Sequence, residues 1–141
     1  MKRILWAVLA GALAAAGCAD PVAPTTPTRA AATIRETFSD TLLVQGANTL
    51  QFNVDKIGAV QVTLTAVNPS AKVGLGIGTP SQGSCSVIDR NDHAVAGQNV
   101  LRSGTATVPG AYCVIIYDVV GLAGVGTLVE PAVYTINVLH S

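Results

Sequence analysis

The sequence predicts an all-β domain over residues 33–141, a single antiparallel β-sandwich of jelly-roll-like type. Apolar and polar residues alternate strictly in several short segments, and glycine, proline and other turn residues separate those segments. No segment of this region has the apolar periodicity of a helix. Its length of about 110 residues suffices for one modest hydrophobic core, so a single domain is expected.

The first two predicted strands cover residues 49–54 and 60–66, each with one apolar and one polar face. Residues 55–58 connect them and include a glycine, which predicts a hairpin. Residues 73–78 alternate apolar residues with glycine. A dinucleotide-binding loop would need G-x-G-x-x-G opening a helix, and no helical pattern follows here, so we expect a strand with glycines on one face.

Two further strands complete the prediction. Residues 112–117 are apolar on both faces, as expected at the centre of a packed sheet, and residues 132–138 alternate again. Turn signals lie at 68–70, 79–83 and 109–110. The glycine-rich residues 121–126 predict a loop before the last strand.

Positive charge, an apolar run and small residues follow one another at the N-terminus. Lys2 and Arg3 precede the apolar residues 4–16, which are too few to span a bilayer, and small residues lead up to Cys18. This order resembles the lipobox signal peptide of bacterial lipoproteins. The resemblance implies cleavage before Cys18 and acylation of that cysteine, with palmitate among the chains. Ordinary secretion, with cleavage after Ala16 and Cys18 left as a stray thiol, is the alternative.

The chain is therefore expected to have three segments: a helical signal peptide over 1–17, a lipidated cysteine with a disordered Pro/Thr/Ala linker over 18–32, and the sandwich over 33–141. Three prolines make the linker an extended spacer. Several acyl chains together would hold the protein stably on a membrane. Ala19 stands where enterobacterial lipoproteins kept in the inner membrane have aspartate, so the resemblance implies the outer membrane, if the organism has one.

Cysteine number and compartment together predict one disulfide. With Cys18 lipidated, Cys85 and Cys113 remain as a pair outside the reducing cytosol. Closing this loop is expected to stabilise the domain by about 3 to 4 kcal/mol. A zinc site at these cysteines is less favoured than a disulfide. Zinc usually needs four clustered ligands, and the only histidines that could join the two cysteines are His93 and His140.

Charge argues against nucleic-acid binding. Lys2 and Arg3 account for two of the eight basic residues, so the mature chain keeps six against eight acidic ones. The remaining basic residues are scattered singly, whereas nucleic-acid binding needs a cluster on one face. No nucleic-acid partner is expected.

The order of segments resembles a known family. The strand over residues 60–66 is followed by Pro-Gly-Ala-Tyr-Cys-Val at 109–114, Tyr-Asp at 117–118 and Tyr-Thr-Ile-Asn-Val at 134–138. This succession is similar to the bacterial pre-peptidase C-terminal domain, a small jelly-roll-like sandwich of secreted proteins. The family's acidic Asp-x-Asp strand is missing, since Lys-Val-Gly-Leu-Gly-Ile stands at 72–77. The resemblance therefore implies a fold and not a metal-related role.

Catalytic residue types are present without a catalytic pattern. No serine lies in a Gly-x-Ser-x-Gly turn, His93 is expected in an exposed loop, and His140 near the end of the sequence is expected to be poorly ordered. Asp118 is expected to cap a turn through backbone N–H groups. A small secreted hydrolase is the weakest functional hypothesis.

Asp89, Asn91 and Asp92 are closely spaced oxygen ligands and suit calcium in a loop over 89–93, although the glycine and distal glutamate of an EF-hand are absent. A plain polar turn is the favoured interpretation of this segment, and a calcium site is the alternative. No other cofactor is expected.

The aromatic residues of the mature domain give a second binding hypothesis. Trp6 leaves with the signal peptide, and Tyr112, Tyr117 and Tyr134 lie in predicted strands, where burial is the default and sugar stacking the alternative. The sequence thus favours a non-catalytic module of the cell envelope, held on the membrane by its lipid anchor, with a structural or protein-interaction role. Calcium or glycan binding is the alternative function.

Overall fold

Eight β-strands form the computed structural model of this chain, which describes residues 34–97, 100–106, 108–120 and 126–141 and, over 100–106, the backbone alone. The strands are β1 (Ile34–Leu42), β2 (Ala47–Val54), β3 (Gly58–Asn68), β4 (Val73–Ser81), β5 (Ser84–Ala94), β6 (Val100–Ala106), β7 (Gly110–Tyr117) and β8 (Ala132–His140). None of the described residues forms a helix with the length and apolar character needed to cross a membrane. The predicted signal peptide and linker, with Cys18, lie outside the described residues.

The strands form two antiparallel sheets that share one core. Sheet A has the order β1-β8-β3-β6, and sheet B has the order β2-β7-β4-β5. Buried side chains from both sheets make a single apolar cluster, to which sheet A contributes Val62 and Ile136 and sheet B contributes Leu75 and Ile116. The predicted all-β, antiparallel, two-sheet architecture is confirmed.

The inner strands follow their sequence patterns. β8 lies between β1 and β3, and its alternation buries Tyr134, Ile136 and Val138 while their neighbours are more exposed. β7 lies between β2 and β4, and it is apolar on both faces, as predicted for a central strand. β4 directs Val73, Leu75 and Ile77 into the core and its glycines to the outer face, also as predicted.

The predicted hairpin between the first two alternating segments is wrong. β2 belongs to sheet B, where it pairs with β7, and β3 belongs to sheet A, where it pairs with β6 and β8. The connection over 55–57 crosses between the sheets, which lie about 10 Å apart in such sandwiches. Alternation indicates that each strand has a buried face, but it does not indicate which strand lies beside it.

A β-bulge near the end of β3 changes which residues are buried. Leu64 pairs with Ile136, whereas Ala66 pairs with the adjacent Thr135, so β3 has one extra residue at this point. The alternation reverses, and Ala66 is exposed while Val67 is buried. The prediction of an unbroken alternation through Ala66 is therefore wrong at its last residue.

The expected loop over residues 89–93 is also wrong, because β5 extends through it as an edge strand of sheet B. Two register shifts interrupt its pairing with β4. Charged side chains and bulges are the features by which edge strands avoid pairing with other chains. The polar composition that indicated a turn belongs to a protected sheet edge.

The predicted disulfide is confirmed. Cys85 of β5 and Cys113 of β7 are bonded, with their Cα atoms 5.8 Å apart. The two strands are not hydrogen-bonded neighbours, because β4 lies between them. The disulfide therefore joins β5 and β7 covalently across the outer face of β4.

Candidate functional site

The predicted calcium ligands lie on β5 and do not share one face. Asp92 accepts a hydrogen bond from the hydroxyl of Tyr117 on the outer face of sheet B. Asn91 pairs instead with the core residue Leu75, and its Oδ1 accepts the N–H of His93 at 2.9 Å. Among the described residues, no three His, Cys, Asp or Glu side chains form a group that could hold a metal ion. Calcium binding through Asp89, Asn91 and Asp92 stays a prediction.

Tyr117 covers a glycine of the neighbouring strand. A Cβ at Gly74 would lie 2.2 Å from the Tyr117 ring, so the phenol lies directly on the β4 backbone. Burial, followed by the hydrogen bond to Asp92 and that residue's charge, raises the pKa of Tyr117 to about 12. These contacts make Tyr117 part of the packing of the outer face.

The other two tyrosines are also structural. Tyr134 is fully buried, and its hydroxyl accepts a hydrogen bond from Asn48 Nδ2 at 3.1 Å. Burial raises the pKa of Tyr134 above its ordinary value. Tyr112 stacks on Phe52 and donates its hydroxyl to the carbonyl of Val108 at 2.9 Å. Tyr134 therefore has no surface on which a sugar could stack.

The two histidines have different environments. His93 is exposed on β5, in a strand and not in the expected loop. His140 is fully buried at the end of β8, where its Nε2 lies 2.9 Å from Glu36 Oε1 and its ring packs against Phe52. The expectation that His140 is poorly ordered is wrong, because β8 extends to this residue and pairs with β1.

Asp118 holds together loops from distant parts of the sequence. Its Oδ1 accepts the backbone N–H groups of Thr127 and Leu128 at 2.7 and 3.1 Å, and its Oδ2 accepts that of Gln45 at 2.9 Å. The Thr127 hydroxyl lies within hydrogen-bonding distance of both Asp118 Oδ1, at 2.9 Å, and the carbonyl of Lys72, at 2.7 Å. The predicted capping role of Asp118 is thus observed, and it extends to a second loop through Gln45, while Thr127 contacts a third loop at Lys72.

The charge of Asp118 is stabilised in the folded protein. Burial alone would raise the pKa of this carboxyl, but the hydrogen bonds from Gln45, Leu128 and Thr127 outweigh burial and lower the pKa below its ordinary value of 3.8. The hydrogen bonds from these loops therefore favour the ionised form of Asp118.

The loops around Asp118 expose aliphatic side chains. We call this surface the Asp118 end; it consists of residues 43–46, 69–72, 118–120 and 126–131. Leu43 is 61% exposed and Val129 is 94% exposed, and Val44 and Val120 are exposed as well. Loops held in place by a buried carboxylate keep these side chains in fixed relative positions. A rigid set of exposed aliphatic groups can bind a complementary protein surface at small cost in loop ordering.

A surface pocket of about 170 Å³ lies at the same end. Pro69, Ser70 and Ala71 line one side, and residues 127–130 line the other. Leu128 closes off the core beneath it, since that side chain is buried. The Asp118 end thus combines exposed aliphatic groups with a cavity that an inserted side chain could fill.

Sequence reasoning identified Asp118 and missed the surface around it. The predictions placed function on β5 and on the tyrosines, whereas the exposed aliphatic groups lie in loops. Leu128 is buried and its neighbour Val129 is almost fully exposed. Loop residues have no periodicity that would separate two such neighbours, so no signal in the sequence could have found this surface.

Comparison with known proteins shows the fold. No family model matches the chain, and no curated protein matches its sequence. The structure is similar to the crystal structure of Yersinia pseudotuberculosis-derived mitogen (TM-score 0.56, 15% identity, 77% of this chain and 86% of that chain). It is also similar to Aeromonas hydrophila PliG, a periplasmic lysozyme inhibitor of g-type lysozyme (TM-score 0.54, 16% identity, with the same coverage of both chains). At these identities the likeness is one of fold.

Proposed function

We propose that this chain is a non-catalytic, extracytoplasmic protein-binding module, anchored by lipid at Cys18, and that it binds its partner through the Asp118 end. The observation that carries the proposal is the arrangement at that end, where one buried carboxylate holds two loops and the Thr127 hydroxyl connects them to a third at Lys72. Leu43 and Val129 project there beside a pocket. Aliphatic anchors on a rigid frame beside a fillable cavity are typical of protein-binding surfaces.

The extracytoplasmic location has two independent supports. The Cys85–Cys113 disulfide is of a kind that persists in oxidising compartments. The N-terminal sequence has the order of an export signal ending at Cys18. The similar fold of a periplasmic inhibitor agrees with this location.

The proposed class of sandwich is a jelly roll. In sheet A, β1 lies beside β8 and β3 beside β6; in sheet B, β2 lies beside β7 and β4 beside β5. The chain changes sheet at every connection except the one between β4 and β5, and this strand order supports two Greek keys, the topology of jelly rolls. The similarity to the pre-peptidase C-terminal domain implies the same class.

A g-type lysozyme is the first partner to test, because one protein of similar fold inhibits this enzyme class. Lysis of bacterial cell walls by a g-type lysozyme would be followed while the protein is titrated in. Inhibition that reaches completion near equal molar amounts would support a lysozyme as the partner. The Leu43→Ser, Val129→Ser double variant should then weaken inhibition by about tenfold or more, as expected for two buried anchors.

A matched double variant on the outer face of sheet B, Gln51→Ser with Val87→Ser, should inhibit like the unchanged protein, because both residues are exposed and far from the Asp118 end. Unchanged lysis at a large molar excess would exclude this lysozyme as the partner. Equal loss in the two double variants would contradict binding through the Asp118 end.

A further inference from the structure

The opposite end of the sandwich is where the N-terminal segment joins the described domain. Ile34, the first residue of β1, pairs with His140 of β8. The connection over 55–57 and the segment before β7 lie at this end too, because Val54 pairs with Gly110. We call this surface the Ser141 end; it consists of residues 34–35, 55–57, 108–109 and 141.

Backbone contacts fix the first of its projecting segments. The carbonyl of Ser141 accepts the N–H groups of Asp55 and Lys56 at 3.2 and 3.4 Å. The hydroxyl of Ser141 donates to the carbonyl of Lys56 at 3.0 Å. The 55–57 connection is therefore held at three points, and Ile57 is 62% exposed beyond them.

Aromatic packing fixes the second segment. Tyr112 donates its hydroxyl to the carbonyl of Val108, and its ring stacks on Phe52. Phe52 in turn packs against His140 at 5.3 Å between ring centroids. Val108 is nevertheless 64% exposed. The hydrogen bond from Tyr112 to the Val108 backbone therefore fixes this segment while the Val108 side chain stays exposed.

The Ser141 end combines aliphatic and cationic groups. Ile34 is exposed as well, so the described residues of this end present three exposed large aliphatic side chains, with Ile57 and Val108. Arg35 and Lys56 are exposed as well, and Asp55 is the exposed acidic residue of these segments. Such a surface is suited to a bilayer interface. Its aliphatic side chains can insert at the boundary between headgroups and acyl chains, and its cations are attracted to anionic headgroups.

We propose that the Ser141 end docks on the surface of the lipid bilayer that holds the acylated Cys18. This inference rests on the proposed lipid anchor. Residues 19–33 separate Cys18 from Ile34 by 16 residue steps, which correspond to about 50 Å in a polyproline II conformation at about 3.1 Å per residue. A tether of this length keeps the Ser141 end at roughly millimolar effective concentration near the bilayer. At such a concentration, weak contacts by three aliphatic side chains suffice to keep the Ser141 end on the bilayer.

The proposed docking gives the domain a defined orientation on the bilayer. β1 runs from Ile34 at the Ser141 end to Leu42 beside the Asp118 end. Its nine residues correspond to about 30 Å of strand. Docking through the Ser141 end therefore holds the proposed protein-binding end about 30 Å away from the bilayer.

Single tryptophans can test this orientation, because Trp6 is the only tryptophan of the sequence and lies in the predicted signal peptide. Ile57→Trp, Val108→Trp and, as the matched control at the other end, Val129→Trp would each be produced as the lipidated full-length protein. Each would be reconstituted into phosphatidylethanolamine and phosphatidylglycerol vesicles with and without brominated acyl chains. All three replaced side chains are exposed, so we expect the variants to keep the fold.

We expect the indoles at 57 and 108 to lose roughly half or more of their emission in brominated vesicles, because insertion by about 5 to 10 Å places them among the bromines. The indole at 129 should keep its emission. Absence of quenching at 57 and 108, or equal quenching at all three positions, would overturn the docking. If Ile57→Trp fails to fold, Ile34→Trp replaces it.

The mass of the purified protein separates the two proposals. A mass without acyl chains on Cys18 would overturn the lipid anchor and, with it, the docking. A fully acylated protein that remains on vesicles without quenching at 57 and 108 would leave the anchor in place and overturn the docking alone. Blue-shifted emission without quenching would indicate that a protein surface, and not the bilayer, covers this end.

Discussion

The carboxylate of Asp118 connects residues that are about seventy positions apart in the chain, since Gln45 and Asp118 are hydrogen-bonded. Gly126 leaves the necessary space, because a Cβ there would lie 1.9 Å from Asp118 Oδ2. Each backbone N–H group that binds this carboxylate would lose its partner if the side-chain oxygens of Asp118 were removed. The geometry of the Asp118 end therefore depends on one charged group.

We expect Asp118→Asn to lower the free energy of unfolding by about 1 to 3 kcal/mol at neutral pH, because an amide NH₂ would face a backbone N–H that now has an acceptor. The measurement is denaturant unfolding at pH 7. Asp89→Asn, an exposed carboxylate on β5, is the control and should change the stability by less than about 0.5 kcal/mol. Equal stabilities for the two variants would contradict the role of Asp118.

The lowered pKa of Asp118 predicts an acid dependence. The folded-state pKa lies below the unfolded value of about 3.8, so the ionised group contributes stability above pH 4 that is lost as the pH falls through the folded-state pKa. We expect the difference between the unchanged protein and Asp118→Asn to narrow below pH 4. Unfolding curves from pH 7 to pH 2 would show this, and a constant difference would contradict it.

Calcium binding on β5 can be decided by thermal unfolding with calcium and then with chelator. Binding would require Asn91 and Asp92 to exchange their hydrogen bonds with His93 and Tyr117 for a cation. We therefore expect no shift in melting temperature. A rise of several degrees that chelator reverses, and that Asp89→Ala with Asp92→Ala abolishes, would establish the calcium site instead.

At the scale of residues, the sequence predicted the features that depend on local chemistry. A carboxylate at the end of an apolar strand predicts a cap, and Asp118 is one. Two cysteines in a protein expected outside the cytosol predict a disulfide, and Cys85 and Cys113 form one. The burial of His140 could not be predicted, because it depends on Phe52 and Glu36, whose proximity follows from the pairing of whole strands.

Among the elements, β4 has three glycines on its outer face with close neighbours. A Cβ at Gly78 would lie 1.9 Å from the carbonyl oxygen of Ser86, whereas a Cβ at Gly76 would meet the side chains of Ile115 and Val87 at 3.1 Å. Backbone cannot move aside as a side chain can. Gly78 and Gly76 of the same strand therefore differ in the space available for an added methyl group.

We expect Gly78→Ala to destabilise the protein by about 2 kcal/mol or more, because β5 must shift to admit the methyl group. Gly76→Ala, its matched control, should change stability by less than about 1 kcal/mol. Thermal unfolding of both variants under oxidising conditions measures the difference. Similar melting temperatures would show that the strands are packed less closely than the structure indicates.

The disulfide stabilises sheet B as an element. Cys85 and Cys113 are separated by 28 positions, so in the chain-entropy model the bond contributes about 3 to 4 kcal/mol. We expect Cys85→Ser with Cys113→Ser to lower the free energy of unfolding by this amount while the strand content by circular dichroism is kept. An unchanged stability would mean that the bond does not form or does not constrain the unfolded chain.

At the scale of elements, strand existence was predictable and strand pairing was not. The alternation in β3 and β8 is a local pattern and indicated both strands. The crossing from β2 to β3 between sheets, and the continuation of β5 through a polar segment, depend on contacts with strands distant in sequence. Alternation and turn residues contain no information on such contacts.

For the whole molecule, the two ends of the sandwich differ in what holds their loops. Asp118 and its hydrogen bonds organise one end, and Ser141 with the Tyr112, Phe52 and His140 rings organises the other. Both ends expose aliphatic side chains on fixed segments. A lipid anchor on Cys18, joined to the domain at Ile34, would direct the first end away from the membrane and leave it accessible to a protein partner.

Photo-crosslinking in the intact cell envelope tests the central claim most directly. A photoreactive amino acid would replace Val129 at the Asp118 end or, as control, the exposed Gln51 on the outer face of sheet B. Protein binding through the Asp118 end predicts one discrete protein adduct from position 129, absent from position 51 and lost with Leu43→Ser. No adduct from position 129, or the same adducts from both positions, would contradict it.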